Sequence, residues 1–322
     1  MKIAVTGANG FVGSNLANHF QRLGHEVVAI VRPKSPVDLI DPAIAIRRTD
    51  YQTGLDEALN GVEILIHNAG AIRARSFAQM VAANVGTTRR VMAAFNRSET
   101  GRRLVYISSQ AASHPSRGNE EVCESEPSAP VDWYGRSKLL AERIIRAECI
   151  KEWVVARPVP VYGPGEKDFL QLFKAVKAGI SFQIGRREQY LNLIYIDELC
   201  AFVELCCTQP QAAGEVFFAS NGQTYTHREF MAACAHALGK KQTLNIAIPV
   251  PLAVLGFHAG ELFEALTGKV TLVNKQKMKE LINVNWVCGI AKARKLLGWD
   301  PRPDLEANLR KTFAWYREHG WL

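Results

Sequence analysis

The stretch Ile3-Ala4-Val5-Thr6-Gly7-Ala8-Asn9-Gly10-Phe11-Val12-Gly13 decides how the rest of the chain is read. An apolar run from Ile3 to Thr6 stops at a glycine, and glycines recur three and six positions later. Beyond them, Val12, Leu16 and Phe20 share one face of a helical pattern from Phe11 to Leu23. Strand, tight turn and helix together bring backbone N–H groups and a helix N-terminus up to a phosphate. Gly7, Asn9, Gly10, Phe11, Val12 and Gly13 are therefore candidate contacts of a dinucleotide pyrophosphate. Glycine turns of this kind also occur where nothing binds. The position at the first strand–helix junction carries the reading.

Working outward, strands and helices alternate. Strands are expected at Glu26–Val31, Ile44–Arg47, Val62–His67, Arg103–Ser108 and Trp153–Arg157. Between them lie helical patterns at Gly54–Leu59, Phe77–Asn96 and Tyr134–Glu148. That alternation predicts an α/β fold: a doubly wound parallel sheet of the Rossmann type, with ligands gathering at the carboxyl ends of the strands. After Arg157 a turn-rich exit (Pro158, Pro160, Gly163, Pro164, Gly165) leads to a helix at Phe169–Ala178. A strand-to-helix return at Leu193–Cys207 and a strand at Glu215–Ala219 follow, with helix starts near Thr226 and Ile290. The expected division is a dinucleotide-binding domain over 1–163, rejoined by 192–219. Residues 164–191 and 220–322 would form a smaller, mostly helical substrate-binding lobe.

The 322 residues are 48% apolar and 22% charged, within the ordinary globular range. The formal charge of +8 is spread along the chain, so it argues for a solvated basic surface that attracts an anionic cofactor and against nucleic acid. The seven cysteines show neither metal spacing nor a disulfide framework. With no leader pattern at the start, a cytoplasmic enzyme without a bound metal is expected. The longest greasy stretch, Ile246 to Phe257, holds Pro249 and Pro251 and is too short to span a bilayer, which leaves contact with a membrane surface open.

The end of the second strand chooses the dinucleotide. A free ribose 2′-OH would be met there by an acid, but the residues are Val31-Arg32-Pro33-Lys34, with no carboxylate before Asp38. Arg32 and Lys34 suit a 2′-phosphate, so NADPH is expected over NADH. Asp50 and Tyr51 follow the third strand and would border the adenine. Asn68, Ala69 and Gly70 follow the fourth, where small residues let a cofactor lie close.

The chemistry is placed by Tyr134-Gly135-Arg136-Ser137-Lys138. Tyr134 and Lys138 are four apart and share a helix face. A phenol near pKa 10 transfers protons poorly at neutral pH, and a neighbouring ammonium favours phenolate. Ser108 and Ser109 end the fifth strand and offer a hydroxyl to a carbonyl oxygen.

In these motifs the chain resembles the extended short-chain dehydrogenase/reductases of the NAD-dependent epimerase/dehydratase superfamily. It shares the glycines Gly7, Gly10 and Gly13, the Tyr134/Lys138 pair, and Asn84-Val85-Gly86-Thr87. Further matches are Arg157-Pro158-x-x-Val161-Tyr162-Gly163 and Leu297-Gly298-Trp299. The resemblance implies Ser109, Tyr134 and Lys138 as the catalytic triad. It also implies Asn84, Ser108, Pro158, Val159 and Val161 near the cofactor. Nucleotide-sugar enzymes of this superfamily usually carry an Asn and an Arg toward a substrate diphosphate; here those positions hold Pro160 and Leu191, with Arg186 and Arg187 close by. The pattern thus resembles the dihydroflavonol reductase and 3β-hydroxysteroid dehydrogenase branch. It implies hydride transfer between NADPH and a ketone or secondary alcohol of an apolar small molecule. A nucleotide-sugar epimerase or dehydratase with tightly held NAD is the alternative, and a non-catalytic dinucleotide sensor the third. The resemblance also implies a homodimer through Phe77–Asn96 and Tyr134–Glu148. The Ser-, Glu- and Pro-rich segment Ser113–Pro130 is expected to be a mobile loop over the substrate. Ile246–Leu266 reads as core packing before it reads as the lining of an apolar pocket.

Overall fold

A computed structural model of the chain describes residues 1–267, 275–282 and 284–322. Its first half runs β1 (Lys2–Thr6), α1 (Phe11–Arg22), β2 (Glu26–Val31), β3 (Ala45–Arg48), α2 (Leu55–Ala58) and β4 (Ile64–His67). Then come α3 (Phe77–Val81), α4 (Thr87–Arg97), β5 (Arg103–Ile107), α5 (Trp133–Glu148) and β6 (Glu152–Pro158). The second half holds β7 (Val161–Tyr162), α6 (Leu170–Lys177), β8 (Ile180–Ile184), β9 (Tyr190–Asn192), β10 (Ile194–Tyr195) and α7 (Ile196–Thr208). It ends with β11 (Glu215–Ala219), β12 (Thr224–Thr226), α8 (His227–Ala237), β13 (Leu244–Ile248), α9 (Val250–Thr267), α10 (Lys275–Leu281), α11 (Ala291–Leu297) and α12 (Leu305–Glu318).

The central sheet has seven strands in the order β11-β6-β5-β4-β1-β2-β3, every neighbouring pair parallel. This is the Rossmann-type α/β fold, with a mostly helical C-terminal portion. Its inner strands are apolar at consecutive positions because both faces are covered, whereas the edge strand β3, Ala45-Ile46-Arg47-Arg48, is largely exposed. Ile3 and Val5 pack into one core cluster, with Leu16 of α1 and Phe202 of α7. Ala4 faces the other, with Phe95 of α4 and Ile145 of α5. Each fully buried large apolar side chain contributes about 1.5–3 kcal/mol. The order of strands reverses between β1 and β4, so Thr6, Val31, His67 and Ile107 end side by side around that switch point.

Three expectations differ from the structure. The helix over Phe77–Asn96 is interrupted by a π-helical turn at Ala82–Gly86, which joins α3 to α4. The segment Ser113–Pro130 is stitched down rather than loose. Ser116 N–H donates to Asn285 O at 2.9 Å, Gly289 N–H to Val122 O at 3.0 Å, and Phe218 N–H to the Glu124 carboxylate at 2.8 Å. Finally, α9 does not simply fill a core: Phe257 is buried, but Leu252, Leu255 and Phe263 are exposed. The remaining C-terminal helices pack conventionally, with Phe173 of α6 meeting Phe230 of α8 and Phe313 of α12.

Candidate active site

The turn between β1 and α1 is closed by contacts that only glycine allows. A Cβ on Gly13 would lie 2.3 Å from the Gly7 carbonyl oxygen, and one on Gly7, at φ +65, would lie 2.8 Å from Ala69 Cα. Gly10 caps α1 without a side-chain hydrogen bond, and no acid stands in the first turn. The N–H groups of Phe11 and Val12 therefore face an end whose dipole favours an anion. These features fit a dinucleotide pyrophosphate; Asn9 sits half-buried in the same turn.

Tyr51 lies beneath this turn. It has φ 62, unusual for a non-glycine residue. Its hydroxyl accepts from Gly7 N–H at 3.0 Å and donates to Ile30 O at 3.1 Å; Arg90 Nε holds its carbonyl at 2.7 Å. Asp50, by contrast, spends its carboxylate on its own turn, accepting from the N–H groups of Gln52 at 2.7 Å and Thr53 at 3.0 Å. Those bonds hold its pKa below the usual carboxylate value.

Arg32 and Lys34 are exposed just past β2. Arg48, which sequence reading missed, braces their loop. Its guanidinium donates to the carbonyls of Arg32 (3.2 Å), Pro33 (2.9 Å) and Ser35 (3.1 Å).

At the other side of the switch point a polar chain runs through the interior. Thr6 Oγ1 accepts from the N–H groups of Asn68 and Ala69, both at 3.1 Å, leaving its proton for His67 Nδ1 at 2.8 Å. His67 Nε2 then carries the ring proton and donates to Thr88 Oγ1 at 2.9 Å. Thr88 donates in turn to Asn84 O at 2.6 Å. His67 is fully buried, and burial lowers its pKa to about 3, with Lys138 adding to the effect. It is a neutral imidazole in one tautomer.

The π-turn presents Asn84. Its side chain accepts from Ala71 N–H at 2.6 Å and donates to Ala71 O at 2.9 Å and Ser137 Oγ at 2.8 Å. A π-turn often marks such a site, because it rotates one side chain out of the α-helical register. Gly70 must be glycine for the same reason: a Cβ there would lie 2.9 Å from Asn84 Oδ1 and 3.5 Å from Lys138 Nζ.

The structure brings Tyr134 and Lys138 together on α5, which packs against the short turn that follows Ser109. Lys138 Nζ donates to Ile107 O at 2.8 Å and lies 4.8 Å from the Tyr106 ring centroid and 5.9 Å from that of Tyr134. Burial pushes its pKa down to about 8, opposed by Glu142. Ser109 caps a short 3-10 turn, accepting from Ala111 N–H at 3.1 Å, so its own O–H can still donate. Gly135 lets this turn meet α5: a Cβ on it would stand 2.0 Å from Ala111 O. Asp132 caps α5 on Gly135 N–H at 2.8 Å.

Ser108 departs from its expected role toward the cofactor. Its hydroxyl donates to Glu142 at 2.5 Å inside the protein. Glu142 in turn accepts from Arg157 Nη2 at 2.7 Å and Nε at 3.0 Å, in a buried ion pair. Arg157 also donates to Ser128 at 3.1 Å, fastening the segment before α5. Pro158 and Val159 are buried where β6 ends, and Val161 is half-buried in β7. The signal for His67 was a polar residue closing an apolar strand; for Glu142 and Arg157 nothing local announced the pair.

The NAD dependent epimerase/dehydratase family model matches residues 3–219. The chain belongs to that family. An epimerase/dehydratase-family chain of this kind is an NAD(P)-dependent enzyme. Among its relatives is the ceramide reductase of Caulobacter vibrioides, 27% identical over 99% of this chain and 96% of that one. Another is the 2-alkyl-3-oxoalkanoate reductase of Stenotrophomonas maltophilia, 28% identical over 98% and 99%. In fold it is similar to MoeE5, solved in complex with UDP-glucuronic acid and NAD (TM-score 0.78, 21% identity, 99% of this chain and 100% of that one). Among the described residues no helix of this family member is long and apolar enough to cross a membrane, and no cluster of three metal-ligating side chains occurs.

Proposed function

We propose that the chain is an NADPH-linked reductase that interconverts a ketone and a secondary alcohol on a relatively apolar small molecule. The observation that carries this reading is the buried Lys138 ammonium, fixed on Ile107 O beside the Tyr134 ring. When bound, the dinucleotide supplies the hydride. Ser109 O–H hydrogen-bonds the carbonyl oxygen, and Tyr134 delivers a proton to that oxygen. Lys138 places a positive charge by the phenol, lowering the cost of the phenolate it becomes. Asn84 and Gly70 keep the surrounding backbone in place. Gly7, Gly10 and Gly13 cradle the pyrophosphate.

The cluster of Arg32, Lys34 and Arg48 supports NADPH, since a fork-shaped guanidinium suits a 2′-phosphate. Pro160 and Leu191 offer nothing to a substrate diphosphate, and both relatives described above are named for reduction of molecules with alkyl portions. Residues 1–163 with 192–219 make up the dinucleotide-binding domain of this reading, and 164–191 with 220–322 the substrate-binding lobe. Seven unpaired thiols suit a cytoplasmic setting, and α4 and α5 are the faces for a homodimer. Titration should give NADPH at least about tenfold tighter than NADH, a difference of about 1.4 kcal/mol. Tyr134→Phe should cut ketone reduction by about a thousandfold or more while NADPH affinity stays unchanged. An active variant would end this reading. NAD that co-purifies and is released only on unfolding would turn it toward an epimerase.

A further inference from the structure

The ribbon of β8 and β13 wears its apolar side outward. In β8, Ser181 and Gln183 are buried while Phe182 is exposed and Ile180 and Ile184 are half-exposed. Parallel pairing sets Leu244, Ile246 and Ile248 of β13 directly beside Ile180, Phe182 and Ile184. Leu244 is 68% exposed and Ile246 38%. The same surface continues into α9, which starts where Gly185 meets Val250. Its outward positions are Leu252, Leu255, Ala259 and Phe263, spaced three, four and four apart, so one helical stripe is wholly apolar. A contiguous patch of this kind on a monomer marks a contact surface.

Charge says which partner. No carboxylate stands between Glu229 and Glu261, and Lys240 and Lys241 precede β13. Arg186 and Arg187 are exposed at the other end of the ribbon, beside the start of α9, with Glu188 the acid in that loop. Cations at both ends of the ribbon, with the carboxylates of α9 confined to its C-terminal turns at Glu261 and Glu264, set a basic rim beside an apolar stripe that cannot span a bilayer, as on an in-plane membrane helix. We infer that β8, β13 and α9 form a docking surface for an anionic phospholipid bilayer. Leu252, Leu255 and Phe263 enter the acyl boundary, and Arg186 and Arg187 beside the start of α9 meet headgroups together with Lys240.

The surface stands close to the candidate active site. α10 packs on α9, and Gln276 of α10 accepts a hydrogen bond from Trp133 N–H at 3.2 Å, one residue before Tyr134. An apolar substrate dissolved in the bilayer would thus enter beside the catalytic helix. That last step rests on the reductase reading; the docking surface does not.

The test is co-sedimentation of the full chain with phosphatidylcholine vesicles, with and without about one-third phosphatidylglycerol, at low salt and at about 0.5 M salt. Binding is expected on the anionic vesicles, weakened by salt. The Leu252→Asp/Leu255→Asp double variant should lose it by about tenfold or more. Both positions are exposed, so far-UV circular dichroism and NADPH affinity should match the parent. Tyr134→Phe should bind vesicles as the parent does, which separates failure of the surface from failure of the chemistry. Equal sedimentation of parent and double variant, or none by the parent, would overturn the inference. So would a parent dimer that the double variant converts to monomer, since a second copy would then cover the face.

Discussion

Two sets of parallel strands in this molecule treat polarity in opposite ways. In the inner strands of the seven-stranded sheet, both faces are covered and buried polar side chains gather in networks such as Thr6–His67–Thr88 and Ser108–Glu142–Arg157, although the Tyr106 hydroxyl of β5 is buried without a hydrogen-bond partner among the described residues. In the β8–β13 ribbon, Ser181 and Gln183 turn inward while Phe182, Leu244 and Ile246 turn out. Parallel strands ordinarily need cover on both faces. The inner strands of the sheet have that cover, whereas among the described residues the ribbon has none over Phe182, Leu244 and Ile246. The contrast separates a region whose polar networks are satisfied inside the fold from one whose apolar side chains face outward.

The sharpest way to break this comparison is at Lys138, whose buried ammonium, held on Ile107 O, costs stability and is assigned a role in the proposed reduction. Lys138→Met should lower ketone reduction by about a hundredfold or more. Its melting temperature should equal or exceed the parent's, because a buried ammonium is removed. The sign with pH follows from a pKa lowered to about 8 by burial. Above that value the ammonium is lost, so parental reduction should decline as pH rises through 8. Stability should rise from about pH 8 to about 10.4, where the unfolded chain binds more protons than the folded one. Activity of the variant within a few-fold of the parent would remove the assigned role.

Next in size is Glu142. Replacing it by Ala leaves Arg157 buried without its partner and should cost about 3–5 kcal/mol in urea unfolding. Ser108 and Ser128 lose their anchor in the same step, so the segment before α5 should also become open to proteolysis. A loss below about 1 kcal/mol, the level of a surface ion pair, would mean that the network is not closed as described.

How far sequence pattern reached also divides along the comparison. β1 to β6 were legible because uninterrupted apolar runs alternate with helical periodicity. Tyr134 and Lys138 could be set on one helix face from their local spacing, whereas Ser109 and Asn84 were singled out by the family resemblance. His67 with Thr6 and Thr88, Glu142 with Arg157, and Arg48 with the Arg32 loop were not: each pairing is made by the tertiary fold between distant segments. The π-turn was equally hidden, since Ala71 and Ser137 hold Asn84 from outside its helix. β8 and β13 escaped for another reason. Ile180-Ser181-Phe182-Gln183-Ile184 does alternate, but pattern alone cannot say which side is inside. The apolar run from Ile246 is interrupted by Pro249 and Pro251, and the structure shows how: Pro249 parts a strand end from a helix start, with Pro251 tolerated in the first turn of α9.

His67 sharpens the comparison through pH. Its folded pKa near 3 lies below the unfolded value of about 6.5, so the neutral ring's contribution is complete above pH 6.5 and is lost as pH falls toward 3. Between pH 6.5 and 5 that amounts to about 2 kcal/mol. His67→Gln should flatten this part of the stability profile measured by urea unfolding. A parental slope that persists in the variant would place the titrating group elsewhere.

The smallest effect is expected on the ribbon side. Leu255 is 65% exposed, so Leu255→Ser should change unfolding free energy by no more than about 0.5 kcal/mol. Phe217, fully buried in β11, should by contrast lose about 3–5 kcal/mol on truncation to Ala. Both are apolar residues of the same chain, and the difference between them measures which apolar surface folding consumes. Should Leu255→Ser instead destabilise by more than about 1 kcal/mol, the α9 stripe would be buried within the chain in solution, and the outward polarity of the ribbon would need no partner to explain it.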